Sequence, residues 1–197
     1  HSFGEFSVGT NNVARFGNDS GLATTNILSR VTGGNPSNIF GEINTANFPG
    51  ANLYLINPAG VVFGSTATLN VGGSVKVSTA DYLRLADGLR FNAVAGPQDA
   101  ILSSSPVAAF GFLNSAPRPI SVQGVTLNTH EQDPTVREPH RALTLVGGDI
   151  SLSGASLKAP GGIDFVSVAS RGEVRTGTAS GVTSPTSGTI RMVDSVV

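Results

Sequence analysis

The sequence predicts an all-β fold: a right-handed parallel β-helix with extra β-hairpins outside the coil. Three observations predict it. The composition is hostile to helices, short period-two alternations recur along the chain, and the breaks between them are written in glycine and proline. Among 197 residues there are 25 Gly and 11 Pro, with abundant Ser, Thr, Val and Asn. Glycine loses backbone entropy in a helix and β-branched side chains lose rotamer freedom there.

In chain order the alternations are Leu53 and Leu55, Leu69 and Val71, Val75 and Val77, Leu83 and Leu85, Ile120 and Val122, Val125 and Leu127, Leu143 and Leu145, Ile150 and Leu152, and Ile163 and Phe165. Each pair points to one face of a short strand, with polar residues often on the other. The separators are Gly-Gly, Ser-Gly, Pro-Gly and Asn-Pro, which bend the chain without a connecting helix and disfavour a doubly wound α/β fold. Segments "NVGGSVKVSTADYLRLADG" (70–88) and "LVGGDISLSGASLKAPGG" (145–162) share a Gly-Gly-x-[Val/Ile]-x-[Val/Leu] core. Their unit of roughly 18 to 22 residues lies in the range of solenoid repeats. A β-sandwich ranks second, because Asp87-Gly88 is the only two-residue hairpin signal of its kind.

One domain over 1–197 is expected, with excursions at about 92–142: an apolar hairpin around Phe110, Gly111 and Phe112, then a solvated loop from Asn128 to His140. The strongest local signal lies earlier. In "ANLYLINPAGVVFGSTATLNVGG" (51–73), Asn57-Pro58-Ala59-Gly60 fits a type I turn position by position. Asn bonds the backbone ahead, Pro presets φ, and Gly suits the fourth place. Flanked by "LYLI" and "VVFG", the turn makes a corner between two buried strands, and Gly72-Gly73 makes another where no side chain fits.

Charge excludes several functions. Charged residues are 13% of the chain and the net charge is −1, with twelve Lys and Arg scattered along the sequence, so neither nucleic acid nor an anionic membrane is an expected partner. There is no Cys, hence no disulfide or thiolate metal site, and cysteine usage does not decide the compartment. No apolar run approaches the ~18 residues a spanning helix needs, so a chain that is not membrane-inserted is expected. The opening residues carry no basic n-region or apolar h-region, and His1 is read as a terminus with a packing role at most.

Candidate chemistry is sparse. Asp81, Asp87, Asp149 and Asp164 lie in or beside predicted strands, where two could converge as an acid and base pair. Turn capping is the preferred reading. His130, Glu131, Asp133 and His140 invite a metal, but the spacing is not His-Glu-x-x-His and two prolines exclude the aligning helix. "RGEVR" (171–175) is not the integrin-binding tripeptide and reads as an exposed turn. No phosphate loop or nucleophile elbow is present, so no catalytic, metal or cofactor residue is assigned.

The 52–88 segment, with "HSFGEFSV" at the start, "RVTGGNPSNIFGEI" at 30–43 and "LTLVGGDISLSGASLKAPGG" later, resembles the N-terminal secretion domain of filamentous haemagglutinin-like exoproteins. These are the TpsA partners of two-partner secretion in Gram-negative bacteria. The family hallmark is Asn-Pro-Asn-Gly; here Asn57, Pro58 and Gly60 match and Ala59 stands third, losing any hydrogen bond of an Asn side chain there. For a second Asn-Pro motif, Asn35 and Pro36 in "GNPSN" are the nearest candidates.

The resemblance implies a β-helix with an N-terminal cap and a non-enzymatic role. It implies recognition by the periplasmic POTRA domains of a TpsB outer-membrane barrel transporter, and export to the cell surface or medium. Early folding would then template a β-helical passenger downstream in cis, belonging to an adhesin, cytolysin or toxin. A monomer is expected. More sequence precedes "HSF" in the family, so a trimmed piece of a longer exoprotein is expected. The competing reading, a carbohydrate-binding or lyase-like β-helix, rests on the fold and its Asp residues.

Overall fold

The structure is a computed structural model that describes residues 1–94, 96, 103–129, 141–176 and 186–197. Among the described residues all regular elements are strands, and the chain passes through parallel sheets in rotation. The first circuit runs from β1 (Ser2–Phe3) past a bridge at Val8 to β2 (Val13–Arg15). The second is β3 (Asn26–Val31), β4 (Ser37–Ile39) and β5 (Glu42–Asn44); the third is β6 (Asn52–Ile56), β7 (Val61–Phe63) and β8 (Thr68–Asn70).

After β9 (Val75–Ser78) the chain leaves for β10 (Tyr82–Leu85), β11 (Arg90–Asn92) and β12 (Val107–Phe112), then resumes with β13 (Ile120–Gln123) and β14 (Thr126–Asn128). The next circuit is β15 (Leu143–Gly147), β16 (Ile150–Ser153) and β17 (Ser156–Lys158). Last come β18 (Ile163–Ser167), β19 (Gly172–Arg175) and β20 (Ile190–Val193).

Three walls result. The large sheet has the order β1-β3-β6-β9-β15-β18, and the second β20-β16-β13-β7-β4. The third wall is β2-β5-β8 followed by β14-β17. Pairing within these sheets is parallel and in register, so Ile27, Leu53, Val75, Leu143 and Ile163 are successive partners on the large wall. Val61, Ile120 and Ile150 are successive partners on the second. Alternation turns these columns inward into one buried core with Ile39, Ile43, Phe63, Leu127 and Leu157. Each fully buried side chain of this kind contributes roughly 1.5–3 kcal/mol.

The "LYLI" run of β6 is apolar on both faces because the large sheet is covered on both. β10, β11, β12 and β19 form a separate antiparallel sheet, order β11-β10-β12-β19. Leu83, Leu85, Phe91, Phe110, Phe112 and Val174 from that sheet bury Tyr54, Ile56 and Val146 from the large sheet's outer side. Burial pushes the Tyr54 hydroxyl up to about 12. Leu83 and Leu85, expected in the coil, thus belong to this outer layer, while Ile120–Asn128, inside the expected excursion, returns to the parallel walls. The expected solvated loop and its His130, Glu131, Asp133 and His140 lie almost wholly outside the described residues.

Two sequence expectations are corrected. The segment 171–175, expected as an exposed turn, carries β19 over Gly172–Arg175; Val174 is buried and Glu173 is tied across the sheet. The weak repeat is out of phase: Gly72-Gly73 precedes β9 on the large wall, whereas Gly147 ends β15 and Gly148 leads on to β16 on the second wall. Local glycine chemistry recurs at different corners, which the Gly-Gly spacing alone does not distinguish.

The Gly72-Gly73 corner is as tight as expected. A Cβ on Gly73 would stand 2.7 Å from the Ala51 carbonyl carbon and oxygen, and one on Gly72 2.9 Å from the Gly50 nitrogen. Backbone cannot yield as a side chain can. On the outer sheet, β12 presents only Ala109 and Gly111 outward, and the Tyr82 ring occupies the space a Gly111 side chain would need. Tyr82 and Arg84 on β10 therefore reach over β12 to Glu173 on β19. The Tyr82 hydroxyl donates at 2.9 Å, and Arg84 donates from Nε at 2.9 Å and pairs through Nη2 at 2.9 Å.

In urea denaturation, Gly73→Ala is expected to lower stability by about 1–3 kcal/mol. Gly34→Ala, where an added Cβ meets nothing within 4 Å, should shift it by less than about 0.5 kcal/mol. The Arg84 hydrogen bonds hold the Glu173 carboxyl below its ordinary range, ahead of the Tyr82 bond. A depressed folded-state value stabilises above the ordinary Glu range and is lost as pH falls through the depressed value. Glu173→Gln should therefore cost on the order of 0.5–1 kcal/mol at neutral pH, and the gap to wild type should close in acid unfolding titrations.

Candidate functional site: a buried polar corner

At the bend from the large wall to the second wall, Asn57-Pro58-Ala59-Gly60 joins β6 to β7. The Gly60 N–H donates to the Asn57 carbonyl at 3.0 Å, closing the four-residue turn. Ala59 does not take a positive φ, which excludes the type II form, while Gly60 has φ +117. The Asn57 Oδ1 accepts the Ala59 N–H at 2.9 Å, as an Asn opening a turn does.

Asn57 is 0% exposed, and all of its polar side-chain atoms are bonded. Its Nδ2 donates to the Asn35 carbonyl at 3.1 Å and to Ser37 Oγ at 2.9 Å, both one circuit earlier. The structure thus brings together the two Asn-Pro candidates: the Asn57 amide rests on the backbone of Asn35, just before Pro36 and β4. Asn35 itself is exposed and donates to Glu5 Oε1 at 2.7 Å.

Sequence reading missed the rest of this seam. Asn57 N–H donates to the Ser78 carbonyl at 2.9 Å, and Ser37 N–H to the Gly60 carbonyl at 3.0 Å. Thr79 Oγ1 donates to the Arg118 carbonyl at 2.7 Å, and Gly148 N–H to the same carbonyl at 2.9 Å. Ser167 Oγ donates to the Gly148 carbonyl at 2.8 Å. Ser37, Asn57, Ser78, Thr79 and Ser167 are all buried, so a hydrogen-bonded polar seam climbs this corner through successive circuits. The available signal was a Ser or Thr at the ends of apolar runs, in "VKVST" and "DFVS".

Beside the seam, Pro58, Thr79, Asp81, Asn114, Pro117 and Arg118 line a shallow groove of ≈ 380 Å³. Pro58 and Ala59 are the half-buried, outward members of the turn.

Three of the four weighed carboxylates are tied to local structure. Asp81 accepts the Leu113 N–H at 2.6 Å and the Asn114 amide at 3.1 Å; Asp87 accepts from Leu89 N–H and Ser103 Oγ; Asp149 accepts the Thr189 N–H at 2.8 Å. The Ser103 bond, first, and the Leu89 amide hold Asp87 below its usual range. Asp164 lies exposed on β18. No helix among the described residues is long and apolar enough to cross a membrane.

Asn57→Ala removes three hydrogen bonds and strands the Ser37 hydroxyl, so a loss of about 2–4 kcal/mol in urea unfolding is expected. Pro58→Ala, which mainly frees the unfolded chain, should cost about 0.4–1 kcal/mol.

With the geometry in place, comparison with family models gives one match, described as "TPS secretion domain", over residues 1–193. Comparison with curated proteins gave no match.

Proposed function

The chain belongs to the TPS secretion-domain family, and from that premise we propose that it is the secretion and folding-nucleation domain of a larger two-partner-secreted exoprotein. Its three parallel walls are read as a right-handed parallel β-helix, the hand favoured when parallel strands of one sheet are joined by crossovers. In this reading a TpsB barrel recognises the chain through periplasmic POTRA domains, and the exported chain folds at the surface of a Gram-negative cell. The domain acts as a monomer without catalysis, and the passenger, an adhesin or toxin, lies downstream in cis.

The observation that carries nucleation is the difference between the two ends of the stack. At the first circuit, Phe3, Phe6 and Phe16 close on one another with centroids 4.9–6.3 Å apart, and His1 packs edge-on against Phe16. At the last circuit the inward columns stay uncovered: Ile190 and Met192 continue the Ile150 and Leu152 columns yet are each 44% exposed, and Val197 is 54% exposed. Among the described residues the edge strands of the large wall, β1 and β18, each have one partner, β3 and β15. In this reading a circuit added beyond Ile190 and Met192 gains both burial and hydrogen bonds, so the stack can be extended there.

The recognition role assigned to the corner rests on Asn57, Pro58, Ala59 and Gly60, with Asn35 and Pro36 beneath. Pro58 and Ala59 are the outward part of a turn whose inner part is fixed by the seam. Gly60→Val, strained at φ +117, and Asn57→Ala are expected to reduce export of a passenger by the partner barrel. Secretion of both variants at the wild-type level overturns this role. Pull-down on the barrel's periplasmic portion, with and without mild denaturant, tests recognition separately; equal failure of the wild-type chain in both conditions overturns transporter recognition.

A further inference from the structure

We propose that the outer face of the antiparallel sheet is a binding surface for an anionic polysaccharide. The twelve Lys and Arg look scattered along the sequence, but the fold gathers several of them. In the register of β11-β10-β12-β19, Arg90 pairs with Arg84, Arg84 with Ala109, and Ala109 with Arg175. Residues that are direct cross-strand partners lie on the same face, so three arginines stand in one row. The neighbouring row is Asn92, Tyr82, Gly111 and Glu173. The apolar side chains of this sheet are on its other face, against the large wall.

Geometry and charge select the ligand class. With about 4.8 Å between strands, Arg90 and Arg175 stand about 14 Å apart across the face. A small anion cannot meet both, whereas a linear polymer with a charge on each repeat engages both, and the second contact becomes intramolecular. Among the described residues these rows carry three guanidinium groups against the one carboxylate of Glu173, on a chain whose net charge is −1. Glu173 holds Arg84 in place through a two-point contact, leaving Arg90 and Arg175 as the exposed ends of the row.

All three cations are Arg, whose planar fork suits carboxylate or sulfate oxygens better than Lys does. Nucleic acid fits less well, because the one aromatic ring in these rows, Tyr82, is buried and already has Arg90 4.1 Å over its centroid. No ring is left to stack a base. The surface is independent of the turn assigned to transporter recognition.

The test uses polygalacturonate as probe, neutral dextran as control and a single-stranded oligonucleotide as competing polyanion, with the immobilised domain at physiological ionic strength. Polygalacturonate should bind wild type, dextran should not, and the oligonucleotide should bind more weakly than the glycan. The double variant Arg90→Gln/Arg175→Gln should lose about tenfold or more in affinity. Arg15→Gln/Arg191→Gln removes the same charge from two exposed residues on other walls and should stay within about twofold of wild type, as a non-specific charge effect would not. Circular dichroism should show both doubles folded. Equal losses in the two doubles, no glycan binding by wild type, or tighter oligonucleotide binding overturns the proposal.

Discussion

Every circuit of this chain has to bend at the same height as the circuit beneath it, because parallel strands in register allow the inward columns to meet only in that one alignment. A slip of one residue would turn Leu53 and Leu55 outward and Asn52 and Tyr54 into the core. The strands are too short, two to six residues, to enforce register by themselves. The corners enforce it. At the bend between the first two walls the buried amide of Asn57 reads the position of Asn35 and Ser37 below, while its backbone N–H reads Ser78 above. A slipped circuit would leave these buried groups without partners, at a penalty larger than any single apolar contact returns.

That constraint explains the scarcity of charge. A core bounded by three walls has corners where backbone is buried and water is absent, so polar needs are met by neutral hydroxyl and amide groups. Charge mostly sits outside the coil; the buried exception, Arg30, lies between the large wall and the outer sheet and donates to Ser2 Oγ and the Asn92 carbonyl. The Arg84–Glu173 contact shows the division. It spans the outer sheet over Ala109 and Gly111, holding β10 and β19 together without entering either apolar cluster. Such a half-buried pair, still open to solvent screening, contributes little stability, but it fixes where Arg84 of that face stands.

How much was legible follows from how local each cause is. Asn57-Pro58-Ala59-Gly60 and Gly72-Gly73 could be read as corners because turn preference is set within four residues. The inward pairs from Leu53 to Phe165 could be read as strands because alternation is local too. The register between circuits could not be read, since the step from β9 to its neighbour β15 spans the whole outer excursion. Leu83 and Leu85 alternate like any wall strand, and only their antiparallel partners, Phe91 and Phe110, reveal a different sheet. Gly172–Arg175 reads as a turn from its own residues, because its pairing to β12 and its tie to Tyr82, 91 positions away, leave no local trace. Within the corner, Asn57 was legible and its partners Ser37, Ser78 and Thr79 were not, since hydroxyls gain meaning only when a neighbouring circuit is stacked on them.

The two ends of the stack connect packing to function. Ile190, Met192 and Val197 are exposed at one end of the stack, while Phe3, Phe6 and Phe16 pack on one another at the other. Where folding proceeds by adding circuits, that asymmetry is useful. In the proposed nucleation role, the end at Ile190 and Met192 rewards only a segment whose alternation matches the columns already present. The polar seam adds a second condition at the corner, where Ser167 already bonds back to Gly148 and Thr189 to Asp149. Under that proposal an added segment has to match both the apolar columns and the hydrogen-bonded bend, since one that meets only one of these leaves buried groups unpaired or apolar surface wet.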